Sequence, residues 1–233
     1  YGAAIRQIVQ MLSQAIPYAE NERQQSVIRK LIEFYETGNL AVFDAYTILW
    51  VEETEGEVDF TNGFTEVYGD PLGLKASWEG YVNYTDHQAT RRAQALSRNA
   101  QWFEDHSPVD ARFKKPLCRG VSAKVINAAI LGGDLYPSSA IGINLPNSNW
   151  VRAEHGSKSV TIANLTHAYD EAARGNGFRN EFADSTQTVS LMDRYGSVCD
   201  DLHTDLHECL GHGSGRLLPG VDPDALKAYG STI

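Results

Sequence analysis

Apolar residues recur at helical spacing from the first residues onward. Ile5, Ile8, Val9, Leu12 and Ile16 lie three or four apart and stop at Pro17, which predicts a first amphipathic helix. Ile28, Leu31, Ile32 and Tyr35 repeat the pattern up to Gly38, a residue suited to a left-handed C-terminal cap. Asn39 can then cap a third helix carrying Phe43, Tyr46 and Trp50, an aromatic stripe that reads as core. From Thr54 to Tyr84 five glycines interrupt short β-favouring pieces such as EVDF and EGYVNY, so this part is loop and strand.

A further helix is predicted with Ala93, Leu96, Ala100 and Phe103 on one face, followed by a connector from Ser107 to Pro116. Three extended stretches come next: GVSAKVINAAI, AIGINLP and SVTIAN. In the middle one Ile141, Ile143 and Leu145 alternate with Gly142 and Asn144, which sends the aliphatic side chains inward and Asn144 to the opposite face. Helix resumes near Leu165, and after a polar loop around RGNGFRNE a last long pattern runs through Leu191, Tyr195, Val198, Leu202 and Leu206. The fold class is therefore α+β.

Composition narrows the partners. The 233 residues are 42% hydrophobic, enough for one sizeable core or for pieces of two lobes. A net charge of −10 argues against nucleic acid or an anionic membrane surface, since both demand a basic face; an amine-bearing ligand suits it better. The longest apolar runs fall far short of the roughly 20 residues needed to cross a bilayer. Cys118, Cys199 and Cys209 are odd in number and widely spaced, which points to a reducing compartment, the cytoplasm, and not to a disulfide framework. The start lacks a signal-peptide pattern and reads as a chain cut from something longer.

Chemistry concentrates in LHECLGHGSGR, Leu206 to Arg216. In the common zinc motif two histidines four apart are separated by about 400° of helical rotation and so face one metal, with a glutamate between them. His207 and His212 are five apart, about 500°, and a regular helix would leave them roughly 140° apart. One extra residue in the turn, a π-type bulge, restores the alignment, and Gly211 loosens the backbone where it must be absorbed. His207 and His212 would then be imidazole ligands of Zn2+, with Glu208 beside the metal as the general base of amide hydrolysis. His203, four residues before His207, could form a helical pair with it, or lie outside the site. A catalytic zinc needs a third protein ligand, and Asp222 and Asp224, in a turn-like PGVDPD, are poor candidates.

HECLGHGSG resembles the H-E-x-x-G-H motif of the dipeptidyl peptidase III family, zinc exopeptidases that release dipeptides from peptide N-termini. Two upstream stretches are similar as well: TEVYGDPLG followed by WEG, and IGINLPN. The resemblance implies that Tyr68 donates a hydrogen bond to the developing oxyanion, that Glu66 and Glu79 pair with the substrate's α-ammonium, and that Asn144 and Asn147 hold its backbone. It implies a two-lobed enzyme. Residues 1–86 and 122–172 would belong to a lobe with a β-barrel core, and residues 87–121 and 173–233 to a mostly helical zinc lobe, both incomplete. The third zinc ligand, a glutamate, would lie downstream of this chain, leaving the fragment itself inactive. The expected substrate is an oligopeptide with a free N-terminus, with neither nucleic acid nor membrane as partner. Two alternatives stay open: a non-catalytic peptide-binding module, and a zinc hydrolase of other specificity. The resemblance is weak over the first helices.

Overall fold

A computed structural model describes residues 1–70, 72–118, 122–137 and 139–221. Three helices, α1 (Gly2–Ala15), α2 (Glu22–Thr37) and α3 (Leu40–Glu52), precede the hairpin β1 (Val58–Glu66) and β2 (Ser77–Thr85). Then come α4 (His87–Arg98), α5 (Ala100–His106), β3 (Ser122–Gly133), β4 (Gly142–Leu145), α6 (Asn149–His155) and β5 (Lys158–Ile162). The chain continues through α7 (Ala163–Ala173), α8 (Phe178–Phe182) and α9 (Thr186–Leu206), which runs into a π turn at His207–Gly211. The fold is α+β. No helix of the described residues is long and apolar enough to cross a membrane.

Local chemistry sets the element ends. Asn21 and Asn39 cap α2 and α3 by accepting the backbone N–H of Gln24 and Ala41, and Gly38 closes α2 with φ +66°. The helix expected across Ala93 to Phe103 is two helices, because Asn99 leaves helical geometry between α4 and α5. Its side chain bonds back to the Ala95 carbonyl, the backbone competition that makes asparagine a poor interior helix residue. Asp222, Asp224, Pro71 of the TEVYGDPLG stretch, and Gly120 and Val121 of the first extended stretch lie outside the described residues.

The five strands form a half-barrel sheet in the order β1-β2-β3-β5-β4. β1, β2 and β3 pair antiparallel, β5 runs parallel to β3, and β4 is antiparallel to β5. Val27, Ile28, Leu31, Tyr46 and Trp50 of α2 and α3 make one core with Leu145, against which Ile143 and Phe60 pack. A second core lies on the sheet around Tyr81, Ile126, Val160 and Ile162. A third joins Ala93 of α4 and Val125 of β3 to Cys209 inside the π turn. This last contact seats the end of α9 against the sheet.

β5 is buried along its whole length, its alternate sides meeting different layers. Lys158 reaches Asp59 at 2.8 Å and lies over the Trp50 ring, tying the strand to β1 and α3. Ser159 and Thr161, two residues apart and hence on one face, point instead to the π turn and to the end of α9. The period-2 strand thus binds the end of α9 and the turn after it through alternate hydroxyls.

Candidate metal centre

Between His207 and Gly211 the backbone widens by one residue, and the His212 N–H donates to the His207 carbonyl at 3.2 Å, a bond spanning five residues. That bond brings the two imidazoles together, their ring centres 4.9 Å apart and their planes at 84°. Ligand atoms of His207, Glu208 and His212 all lie within 4.8 Å of one another. His203 is exposed and outside this group.

A widened turn disturbs the regular ladder of backbone bonds, so it needs outside support. The Ser159 hydroxyl donates to the Glu208 carbonyl at 2.7 Å. One turn earlier, Asp205 is fully buried, accepting from the Thr161 hydroxyl at 2.8 Å and from Arg92 Nε at 2.6 Å. Arg92 also meets Asp201 at 3.2 Å, so α4 grips the motif helix by two carboxylates. Arg152 donates to the carbonyls of His212 at 3.1 Å and Pro146 at 3.3 Å, bridging the exit of the turn and the end of β4. Neither Asp205 nor Arg152 carries a sequence signal of its own: a lone Asp in TDLHE and a lone Arg after NLPN read as surface charges.

The Glu208 carboxyl is buried against Gly142 of β4, where an added Cβ would collide with it. Burial pushes its pKa up to about 7, against the opposing pull of Arg152. Its Oε2 has no hydrogen-bond partner among the described residues. Burial lowers the pKa of the His212 imidazole, and the neighbouring His207 lowers it further. Neutral imidazole is the form that ligates a metal. Two converging imidazoles suit a borderline metal ion such as zinc, and the unsatisfied buried oxygen of Glu208 beside them is free to meet a water there.

The other candidate residues lie on β1, β2 and β4 and in the loops that follow β1 and β4. Glu66, at the end of β1, accepts from Asn147 Nδ2 at 3.1 Å. Glu79, on β2, is buried and held up to about 7 by desolvation, then by the charges of Glu66 and Asp134. Tyr68 is exposed, and Glu66, burial, Glu79 and Glu208 raise its phenol pKa in that order. The four groups therefore share one electrostatic neighbourhood. Asn144 does point away from the aliphatic side of β4, yet it too is buried. Its Nδ2 donates to the hydroxyls of Ser159 and Ser157, and its Oδ1 is left without a partner. Only the acceptor half of that amide remains uncommitted among the described residues.

The α+β fold thus carries a convergent His-Glu-His cluster at the end of its longest helix. The chain belongs to peptidase family M49, whose family model matches residues 1–228 and so extends through α1 to α3, where motif resemblance is weak. Among curated proteins it is similar to dipeptidyl peptidase 3 of Dictyostelium discoideum, 29% identical over 91% of this chain and 29% of that protein. It is similar to dipeptidyl peptidase 3 of Rattus norvegicus, 26% identical over all of this chain and 31% of that protein. The chain thus spans under a third of the length of these relatives. Its fold is similar to the solved structure of DPP III from Caldithrix abyssi, with a TM-score of 0.66 at 21% identity over 74% of this chain and 33% of that one.

Proposed function

We propose that this chain supplies the metal-binding turn and part of the peptide-binding wall of a zinc-dependent dipeptidyl peptidase acting on oligopeptides with a free N-terminus. The observation that carries the reading is the π turn, which brings His207, Glu208 and His212 together despite the five-residue spacing. His207 and His212 would hold the ion, with a third ligand from a glutamate downstream of this chain. Bound there, zinc would supply the Lewis acidity that makes water nucleophilic near neutral pH.

Glu208, next to His207 and inside the same cluster, is placed to take a proton from the attacking water and give it to the leaving amine. Tyr68 stays protonated in its acidic surroundings and can donate to the oxyanion that forms. Glu66 and Glu79 present carboxylates to an α-ammonium, and a bound cation would draw the Glu79 pKa back down. The Asn144 side-chain oxygen, buried and without a partner among the described residues, would accept a substrate N–H on closure around the peptide, while Asn147 pairs with Glu66 and so links backbone recognition to amine recognition. In domain terms, 1–86 and 122–172 would form the barrel-containing lobe and 87–121 with 173–233 the zinc lobe. Three free thiols suit a cytoplasmic location.

The test is turnover of a chromogenic dipeptidyl amide by the full-length protein, with and without N-acetylation. Cleavage confined to the free amine supports the reading. Equal rates on both substrates would remove the exopeptidase assignment.

A further inference from the structure

His212 directly follows the widened turn, and the backbone after it lies in no helix. Unsupported helix ends fray, and a ligand placed there would lose its aim. In this chain the following residues are gripped by the α5–β3 connector. Ser214 N–H reaches back to the Leu210 carbonyl at 2.9 Å, and Arg216 N–H donates to the Phe113 carbonyl at 2.9 Å. Lys115 Nζ donates to the Gly213 carbonyl at 2.8 Å. At the centre lies Glu104 of α5, 2% exposed, with both carboxylate oxygens occupied. The Gly215 N–H donates to Oε1 at 3.2 Å and Oε2 at 3.0 Å, the Lys115 N–H to Oε1 at 2.6 Å, and the Cys118 thiol to Oε2 at 3.6 Å.

A buried carboxylate is costly unless its acceptor sites are filled, and this one is filled by groups from the two segments it joins. A link that served only to close the connector would need Lys115 and Cys118 alone. Glu104 instead spends its bidentate grip on Gly215, three residues beyond the imidazole, while the adjoining lysine holds Gly213, one residue beyond it. We infer that Glu104, with Lys115, is a positioning residue for His212: it fixes the backbone leaving the π turn and thereby sets how tightly the site holds zinc. The inference rests on the zinc reading above.

The experiment measures zinc affinity of the full-length protein by competition with a chromophoric chelator, for the unmodified protein, Glu104→Gln, Lys115→Met, His212→Ala and the double variant E104Q/H212A. Groups that orient a ligand change metal affinity by about 10- to 100-fold, so Glu104→Gln should weaken zinc by that factor and Lys115→Met by several-fold. Because Glu104 acts through His212, the double variant should bind no more weakly than His212→Ala alone. Circular dichroism and unfolding midpoints of the metal-free proteins show which variants are folded; if Glu104→Gln is not, Lys115→Met carries the test. Unchanged affinity in the folded variant, or losses that simply add in the double variant, would overturn the positioning role while leaving the zinc site standing. An unmodified protein that takes up no zinc, or one indifferent to His212→Ala, would overturn the zinc reading and this inference with it.

Discussion

Gly142 lies directly beneath the Glu208 carboxylate, so close that a methyl group on Gly142 would occupy the space of the Glu208 side chain. This contact is where the strand from IGINLPN meets the metal motif. An alanine there collides with a side-chain end and not with backbone, so Glu208 would turn away while the fold survives. Gly142→Ala is expected to cost about 100-fold in kcat, the scale of losing a positioned acid–base group. The unfolding free energy should change by less than about 1 kcal/mol, since only a side chain must shift. Parallel rate and denaturation measurements check this; full activity in the variant would contradict the contact.

Glu79 makes stability fall as pH rises. Its pKa is about 7 in the folded chain against 4.5 for the ordinary carboxyl, because burial and the nearby Glu66 and Asp134 disfavour its charge. Between those values the folded state binds more protons than the unfolded state, so unfolding free energy drops with increasing pH and levels off above about pH 8. The expected loss is about 3 kcal/mol. Glu79→Gln removes the ionisation and should match the wild type near pH 4 and exceed it at pH 8. Parallel denaturation curves at the two pH values would count against the shift.

Asp205 couples the motif helix to two neighbours at once, through Thr161 and Arg92. Asp205→Ala would leave the Thr161 hydroxyl and one side of Arg92 without their buried partner. Breaking such a pair costs about 3 kcal/mol. Urea unfolding should show a free energy of unfolding lower by about that amount, and a loss under about 1 kcal/mol would show that solvent replaces the bonds. Arg92→Met should destabilise as well, by stranding the Asp205 charge.

Much of this was readable in the sequence. The asparagine and glycine caps around α2 and α3 follow from local chemistry, and the five-residue histidine spacing already required a π turn, which the structure contains. What could not be read depends on the third dimension. The break at Asn99 arises because one side chain competes with its own helix. Asn144 is buried because β4 is covered on both faces, by the helical core on one and by the π turn carrying Glu208 on the other, whereas alternation reveals only which residues oppose each other. Leu191, Tyr195, Val198 and Leu202 do share the apolar pattern of α9 but are exposed among the described residues, since periodicity shows which side of a helix is apolar and not what lies against it. Glu104 and Asp205 matter through contacts more than 100 positions away along the chain, to Gly215 and Arg92, which no local pattern carries.

On the zinc reading, Glu208 is the residue that separates binding from chemistry. Glu208→Gln keeps the size of the side chain and removes its basicity, so zinc content should stay at the wild-type level while turnover falls by about 100-fold or more. Metal analysis alongside single-turnover rates distinguishes the cases; loss of zinc with loss of rate would make Glu208 a ligand and not the base.

The most direct measurement is X-ray absorption at the zinc edge of the full-length protein, recorded for the wild type, His207→Ala and His212→Ala. Wild-type spectra should contain scattering from two imidazoles at about 2.0–2.1 Å, the usual zinc–nitrogen distance, and each variant should lose one of them. A zinc shell that keeps its full imidazole scattering after His212→Ala would mean that the widened turn does not bring the two histidines to a common ion.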